Sequence, residues 1–384
     1  MRQLLIALLL AGCAKRSPAW SDPSLVDEVD AVEAQAPETI LLDATTSDDP
    51  TPRSRALTLL LRTAEPEKVS TFAAIALADA DVWVQRAGVL ALAERLDAPG
   101  AEQALVAYAS RTDAPPTTRG LAAERLVGTA ELADTLGAAW RAASEPWDIA
   151  PLAFAAALHG DEDALGALAD ALATGELDLD VDFLDRLGRS GLDLRDALRA
   201  GQERVEEELE LPYAAARLQL GDASGEQAFR RTLSDDYVLR RLEAIDYLLD
   251  LDHPASAGLL KRARGAGPEV VSQYAELALL AHDVGTSTTL EEGYEQSERE
   301  VRLAAVMVAE RLLRSGSADR KVARAARRVV ESAAVDEASE VRAAAFAASG
   351  GQGAVDMPFE QGIRDEVHAV RIEAAGALLS REAS

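Results

Sequence analysis

The sequence predicts an all-α fold, an α-solenoid of about eleven helix pairs. Three observations point there. A short pattern recurs with a mean period of about 32 residues, and periods of roughly 20–50 residues mark stacked repeats. Its apolar positions fall 4 and 3 apart, the spacing of one buried helix stripe. Aromatic residues make up only 4%, so the core is built from Ala and Leu on closely spaced helices.

From the N-terminus, Met1–Gln3 carries one positive charge, Arg2, and Leu4–Ala11 is an eight-residue apolar run. That run is too short to span a bilayer of about 30 Å as a helix and fits the ~7–15-residue apolar region of a secretory signal. Leu10-Ala11-Gly12-Cys13 follows, with the only cysteine of the chain. These residues resemble the lipobox of bacterial lipoproteins. The resemblance implies a signal peptide at 1–12, cleavage between Gly12 and Cys13, and lipid (palmitate among its acyl chains) on Cys13. It places the mature chain in the cell envelope, with membrane contact through the lipid. With Ala14 after the lipid site, the sorting rule favours the outer membrane, facing the periplasm, if the host is Gram-negative. A single cysteine leaves no intramolecular disulfide, so stability must come from packing.

Residues 13–36 read as the lipidated N-terminus and a tether, rich in Ser and Pro at Lys15-Arg16-Ser17-Pro18 and Ser21-Asp22-Pro23. Leu25, Val29 and Val32 keep helical spacing, so a leading helix is the alternative.

The repeat array occupies 37–384. Its clearest copies are Glu298-x-x-Val301-Arg302-x-x-Ala305-x-x-Val308, Val341-Arg342-x-x-Ala345-x-x-Ala348, Val370-Arg371-x-x-Ala374-x-x-Ala377 and Asp49-x-x-Pro52-Arg53-x-x-Ala56-x-x-Leu59. The second motif position recurs near 53, 85, 119, 150, 182, 212, 241, 272, 302, 342 and 371. An acid at the front can cap a helix and sits well at the positive end of the helix dipole. Residues 144–221 keep the pattern least and are expected to hold a kink, a changed curvature or a small insertion.

This signature resembles HEAT repeats, in particular the short bacterial HEAT-like kind that includes relatives of phycobilin lyases. The resemblance implies a right-handed solenoid of the armadillo type, with the motif helix on the concave side. It implies a ladder of Arg53, Arg119, Arg302, Arg342 and Arg371 with acidic partners Asp49 and Glu298. Gln85 and Ser272 interrupt that ladder.

The formal charge is −27, from 66 acids and 39 bases. Nucleic acid is excluded as a partner, since its binding depends on Lys and Arg neutralising phosphates. Residues 151–250 hold 23 acids and 10 bases, whereas 301–350 hold 6 and 9. Within the latter, Arg320, Lys321, Arg324, Arg327 and Arg328 form a cationic stripe on one predicted helix, with Arg320, Arg324 and Arg327 on one face. It reads as a solvated outer face or as a contact surface for acidic protein or phosphate.

Other candidate chemistry is thin. His159, His253, His282 and His368 stand apart from one another and from any zinc-binding spacing, and read as turn and helix-end residues. Asp178-x-Asp180-x-Asp182 opens like a calcium loop, but Phe183 and Arg189 stand where Gly and a bidentate Glu are needed. Glu206-Glu207-Glu208-Leu209-Glu210 reads as an acidic helix face. Trp83, Trp140 and Trp147 read as plugs between repeats. The expectation is therefore no enzyme, no catalytic residues, no metal and no cofactor. The chain reads as a monomeric scaffold that binds protein partners of unknown identity through its concave face, the alternatives being an envelope spacer or a lyase-like cofactor carrier.

Overall fold

The computed structural model describes residues 35–382 apart from 176–180, 206, 266, 297, 317–318, 351–354 and 356. Among these residues there are 22 α-helices and no strand. The chain divides into two compact units, one of residues 36–228 together with 375–384, the other of 229–374.

The N-terminal unit runs through α1 (Pro37–Ala44), α2 (Pro50–Thr63), α3 (Pro66–Leu77), α4 (Val82–Ala93), α5 (Ala101–Ala109), α6 (Pro116–Glu124), α7 (Ala130–Ala142), α8 (Pro146–Leu158), α9 (Glu162–Thr174), α10 (Val181–Gly188), α11 (Arg195–Gln202) and α12 (Glu207–Gln219). A 3₁₀ turn at Ala223–Gly225 leads into α13 (Glu226–Thr232). The C-terminal unit holds α14 (Val238–Asp250), α15 (Pro254–Gly265), α16 (Glu269–Leu280), α17 (Ser287–Tyr294), α18 (Arg299–Ser315), α19 (Arg320–Ala333), α20 (Ser339–Ser349) and α21 (Phe359–Gly362). The final helix, α22 (His368–Glu382), begins there and ends in the N-terminal unit.

All eleven motif positions fall on the even-numbered helices, each preceded by an odd-numbered partner. Motif helices stack on motif helices: α2 on α4, α4 on α6, α6 on α8 and α10 on α12 in one unit, and α14 on α16, α18 and α20 in sequence in the other. The odd helices pack beside them, as α3 on α5, α9 on α11 and α17 on α19.

Local chemistry sets the helix starts. Pro sits in the first turn of α1, α2, α3, α6 and α8, where its missing N–H is no loss. Asp49, Asp81, Asp161 and Asp319 cap α2, α4, α9 and α19 by accepting from first-turn N–H groups.

Residues 144–221, the least regular stretch, remain helical pairs, but their helices carry Pro151 and Pro212 in their interiors. An interior proline removes one ladder hydrogen bond and frees a carbonyl four residues back. Against α8 the facing helix α6 presents Gly120, where an added Cβ would lie 2.4 Å from the Pro151 carbonyl oxygen. Only glycine permits that approach.

The C-terminal helix makes the least expected contact. Ala375, Gly376 and Ala377 are buried, and a Cβ on Gly376 would lie 2.5 Å from Leu59 Cδ1 on α2. Within the N-terminal unit the end of the last helix thus packs on α2, where Leu59 is buried.

Gly376→Leu should therefore lower stability by about 1–3 kcal/mol through overpacking against Leu59, read as a drop in Tm by circular dichroism. Gly166→Ala on α9, where an added methyl meets nothing within 4 Å, should leave Tm unchanged or raise it slightly, because Gly is the poorer helix former.

Candidate interaction surface

The stacked turns are tied by arginine. Arg302 on α18 sends Nε and Nη2 to the two carboxylate oxygens of Asp336, at 2.9 and 3.0 Å. Arg342 on α20 does the same to Asp365, at 2.8 and 3.0 Å, and its Nη1 donates to the carbonyls of Asp336 and Glu337. Arg53 on α2 pairs with Asp79 at 3.1 and 3.0 Å and donates to the carbonyls of Ser47 and Asp48. Arg371 donates to the carbonyls of Asp365 and Glu366, and lies 3.2 Å from His368 Nδ1. One rule covers Arg302, Arg342 and Arg53. The motif arginine satisfies carbonyls of its own turn and grips the acid that opens the next turn; Arg371, on the last motif helix, keeps only the carbonyl half.

That acid lies six residues before the next motif position, not four. Asp79, Asp336 and Asp365 each also accept from a backbone N–H two residues on. The expected partners behave differently. Asp49 caps α2 by accepting from Thr51 N at 2.8 Å, so its carboxylate serves its own helix while Arg53 reaches Asp79. Glu298 stands at the N-cap of α18 without a side-chain cap bond, and the carboxylates that Arg302 meets include Asp336 and Glu337. The recurring Asp at six before the motif was a sequence signal that a search centred on the cap position passes over.

Where the motif arginine is missing or diverted, neutral bonds replace the ion pair. Gln85 donates to the Asp79 carbonyl and accepts from the Tyr108 hydroxyl at 2.6 Å, and Tyr108 shares a 2.8 Å hydrogen bond with Thr118. Ser272 donates to the Arg264 carbonyl. Arg119 is buried and donates to the Ala109 carbonyl at 3.2 Å; the position six before the next motif is Ser144, which offers it no carboxylate, and Asp113, the acid that follows Gln85, pairs with Arg111. Burial lowers the Arg119 pKa.

A second set of ties closes the helix C-termini. Arg95 donates to the carbonyls of Leu61, Arg62 and Ala64. His159 Nε2 lies 3.0 Å from the Ala123 carbonyl and His282 Nε2 2.7 Å from that of Leu248. Each side chain ends one motif helix and satisfies carbonyls near the end of the preceding one, groups that lack helix partners. Among the described residues no group of three or more His, Cys, Asp or Glu could hold a metal ion.

Two ion pairs reach across a whole repeat. Arg186 on α10 meets Glu124 on α6 at 2.7 Å, and Arg311 on α18 meets Asp250 on α14 at 2.8 Å. Burial pushes Glu124 above its ordinary value, against the pull of Arg186.

The cationic stripe lies on α19. Val322, Ala325, Ala326, Val329, Val330 and Ala333 bury one face. The other exposes Arg320, Lys321, Arg324, Arg327 and Arg328. Arg328 pairs with Glu291 of α17. The side chains of the other four make no hydrogen bond or ion pair with any described residue.

Two tryptophans are surface residues rather than plugs. Trp83 and Trp147 are 46% and 42% exposed, each the second residue of its helix, α4 and α8. Arg86 stacks 5.7 Å from the Trp83 ring centroid. Trp140 is half-buried, donating to Asp161 at 3.1 Å under Arg141.

Gly12, Cys13, the Asp178 and Asp180 carboxylates and Glu206 lie outside the described residues. No helix among the described residues is long and apolar enough to cross a membrane.

No protein-family model matches the chain, and no curated protein does. Among solved structures it is similar to one of the UNC-45 chaperone, studied for binding and folding muscle myosin. Identity is 14% over 90% of this chain and 46% of that one, with a TM-score of 0.17. The chain thus spans less than half the length of that chaperone chain. The all-helical architecture rests on the chain's own helices and their packing.

The ladder has measurable consequences. Arg302 and Asp336 are 10% and 5% exposed, so Arg302→Ala should cost about 3 kcal/mol by leaving a buried carboxylate. Arg62→Ala, at a well-exposed pair with Glu94, should cost under about 1 kcal/mol. Urea unfolding checks both. Burial opposes ionisation of Asp79, Asp222 and Asp336, but hydrogen bonds from Arg53, Arg217 and Arg302 outweigh it, with Ser224 helping at Asp222. All three carboxylates therefore titrate below their ordinary range. Their stabilisation is complete above the unfolded pKa of roughly 4 and is lost as pH falls through the lower folded values. Stability should hold down to about pH 4 and decline below it, less steeply in Asp336→Asn.

Proposed function

We propose that this chain is a protein-binding scaffold of the bacterial cell envelope, anchored through lipid on Cys13. The observation that carries the reading is the pair of exposed indoles, Trp83 and Trp147, each the second residue of its motif helix. Tryptophan is enriched where partners bind, because it supplies large apolar area at little cost in side-chain freedom. The intervening α6 presents Thr117 at the same register, so the two rings flank a small polar step. Stacked helices lie about 8–10 Å apart, which puts the rings roughly two helix spacings from each other. Such a surface suits an elongated partner lying across several turns. The N-terminal cleavage and lipid are read from Gly12 and Cys13 alone; a diacylated or triacylated cysteine would hold the scaffold at the membrane durably.

Crosslinking mass spectrometry on intact envelopes should find a partner whose crosslinks cluster near α4, α6 and α8. Trp83→Ala with Trp147→Ala should weaken that partner by about thirtyfold or more, the size of a hot-spot loss. An unchanged crosslink set would refute binding along this edge and favour a spacer. Cys13→Ser should abolish incorporation of labelled palmitate and release the chain from membranes; retention of label would refute the anchor.

A further inference from the structure

The stripe on α19 is a charge feature that the folded body leaves unanswered. The chain carries 66 acids against 39 bases. Most of its arginines meet carboxylates or carbonyls, as Arg53, Arg62, Arg95, Arg186, Arg302, Arg311 and Arg342 do. The side chains of Arg320, Lys321, Arg324 and Arg327 do not, although acid outnumbers base in the chain as a whole.

The helix is built to present them. Its apolar face is buried against α17, α18 and α20, and Asp319 fixes its start by accepting from Lys321 N and Val322 N. Arg320, Arg324 and Arg327 then project from one face over about 10 Å. The stripe is one helix wide. Glu291 on α17 borders it through its pair with Arg328.

We propose that the α19 stripe docks an acidic helical segment of a partner protein, with carboxylates spaced i, i+4, i+7 to meet Arg320, Arg324 and Arg327. A narrow row of guanidinium forks matches a single row of carboxylates, which accept two parallel N–H bonds each. An anionic bilayer fits less well, because a flat surface broader than the stripe also meets Glu291 and a body of net charge −27. A second copy fits less well too, since each copy carries −27. This proposal names a partner chemistry within the scaffold reading but uses a different surface, so either can fail alone.

The test uses the full chain and a fluorescein-labelled helical peptide with Glu at i, i+4, i+7 and i+11. Fluorescence polarisation at low salt should show saturable binding that weakens as salt rises. Arg320→Glu, Arg324→Glu and Arg327→Glu together should reduce affinity by about tenfold or more with Tm unchanged. If the charge reversal perturbs folding, the matching triple Gln variant serves the same purpose. A peptide with Gln in place of Glu should not bind. The proposal is overturned if the variant binds as well as the parent, or if no peptide binding occurs. Stripe-dependent binding to phosphatidylglycerol vesicles without peptide binding assigns the stripe to lipid instead, and stripe-dependent self-association in sedimentation assigns it to a second copy.

Discussion

A buried guanidinium has five N–H donors and cannot shed its charge, so each one must find acceptors on several sides. That constraint organises the stacking of this chain. Arg302, Arg342 and Arg53 meet it identically, through carbonyls of their own turn and both oxygens of one aspartate in the next. The geometry is satisfied at one spacing and one rotation between neighbouring helix pairs. Alanine at the apolar motif positions lets the helices come close, but small smooth surfaces tolerate sliding. The fork-to-carboxylate contacts remove that freedom; Arg53 to Asp79 thus fixes the turn before Trp83 against the preceding repeat.

The interruptions are instructive in the same terms. At Gln85 the charge is absent, and the acid of the next turn, Asp113, pairs with Arg111 instead; an amide, a phenol and a threonine hydroxyl close the gap. At Arg119 the charge remains while Ser144 stands where the next acid would be, leaving a buried arginine with a backbone acceptor and a lowered pKa. The middle of the N-terminal unit relies instead on longer reaches, Arg186 to Glu124 across a repeat and Gly120 against the Pro151 carbonyl. Order there comes from close backbone approach and one deeply seated pair rather than from a periodic ladder.

Surface and interior divide the charges differently. Interior arginines are consumed by structure, whereas the α19 cations and the first-turn tryptophans are not. Residues at both places sit on helices whose opposite faces are buried, which keeps their positions well defined without neighbours. For a protein that works by contact, such preorganisation lowers the entropy lost on binding.

Sequence alone determined the local chemistry. Periodic Ala, Leu and Val specified which helices form and which stripe each buries, because those choices depend on residues within one or two turns. Arg53, Arg302 and Arg342 were legible as ladder members for the same reason. Their partners were not: Asp49 and Asp79 look equally suitable in a linear string, and only the stacking of α2 on α4 brings Asp79 to the guanidinium while Asp49 turns to its own helix N-terminus. Trp83 and Trp147 read as core by type, yet each stands exposed as the second residue of its helix. The seating of Gly376 against Leu59 had no sequence signal at all. Contact between residues more than three hundred positions apart depends on which helices the folded chain brings together, and no local pattern contains that.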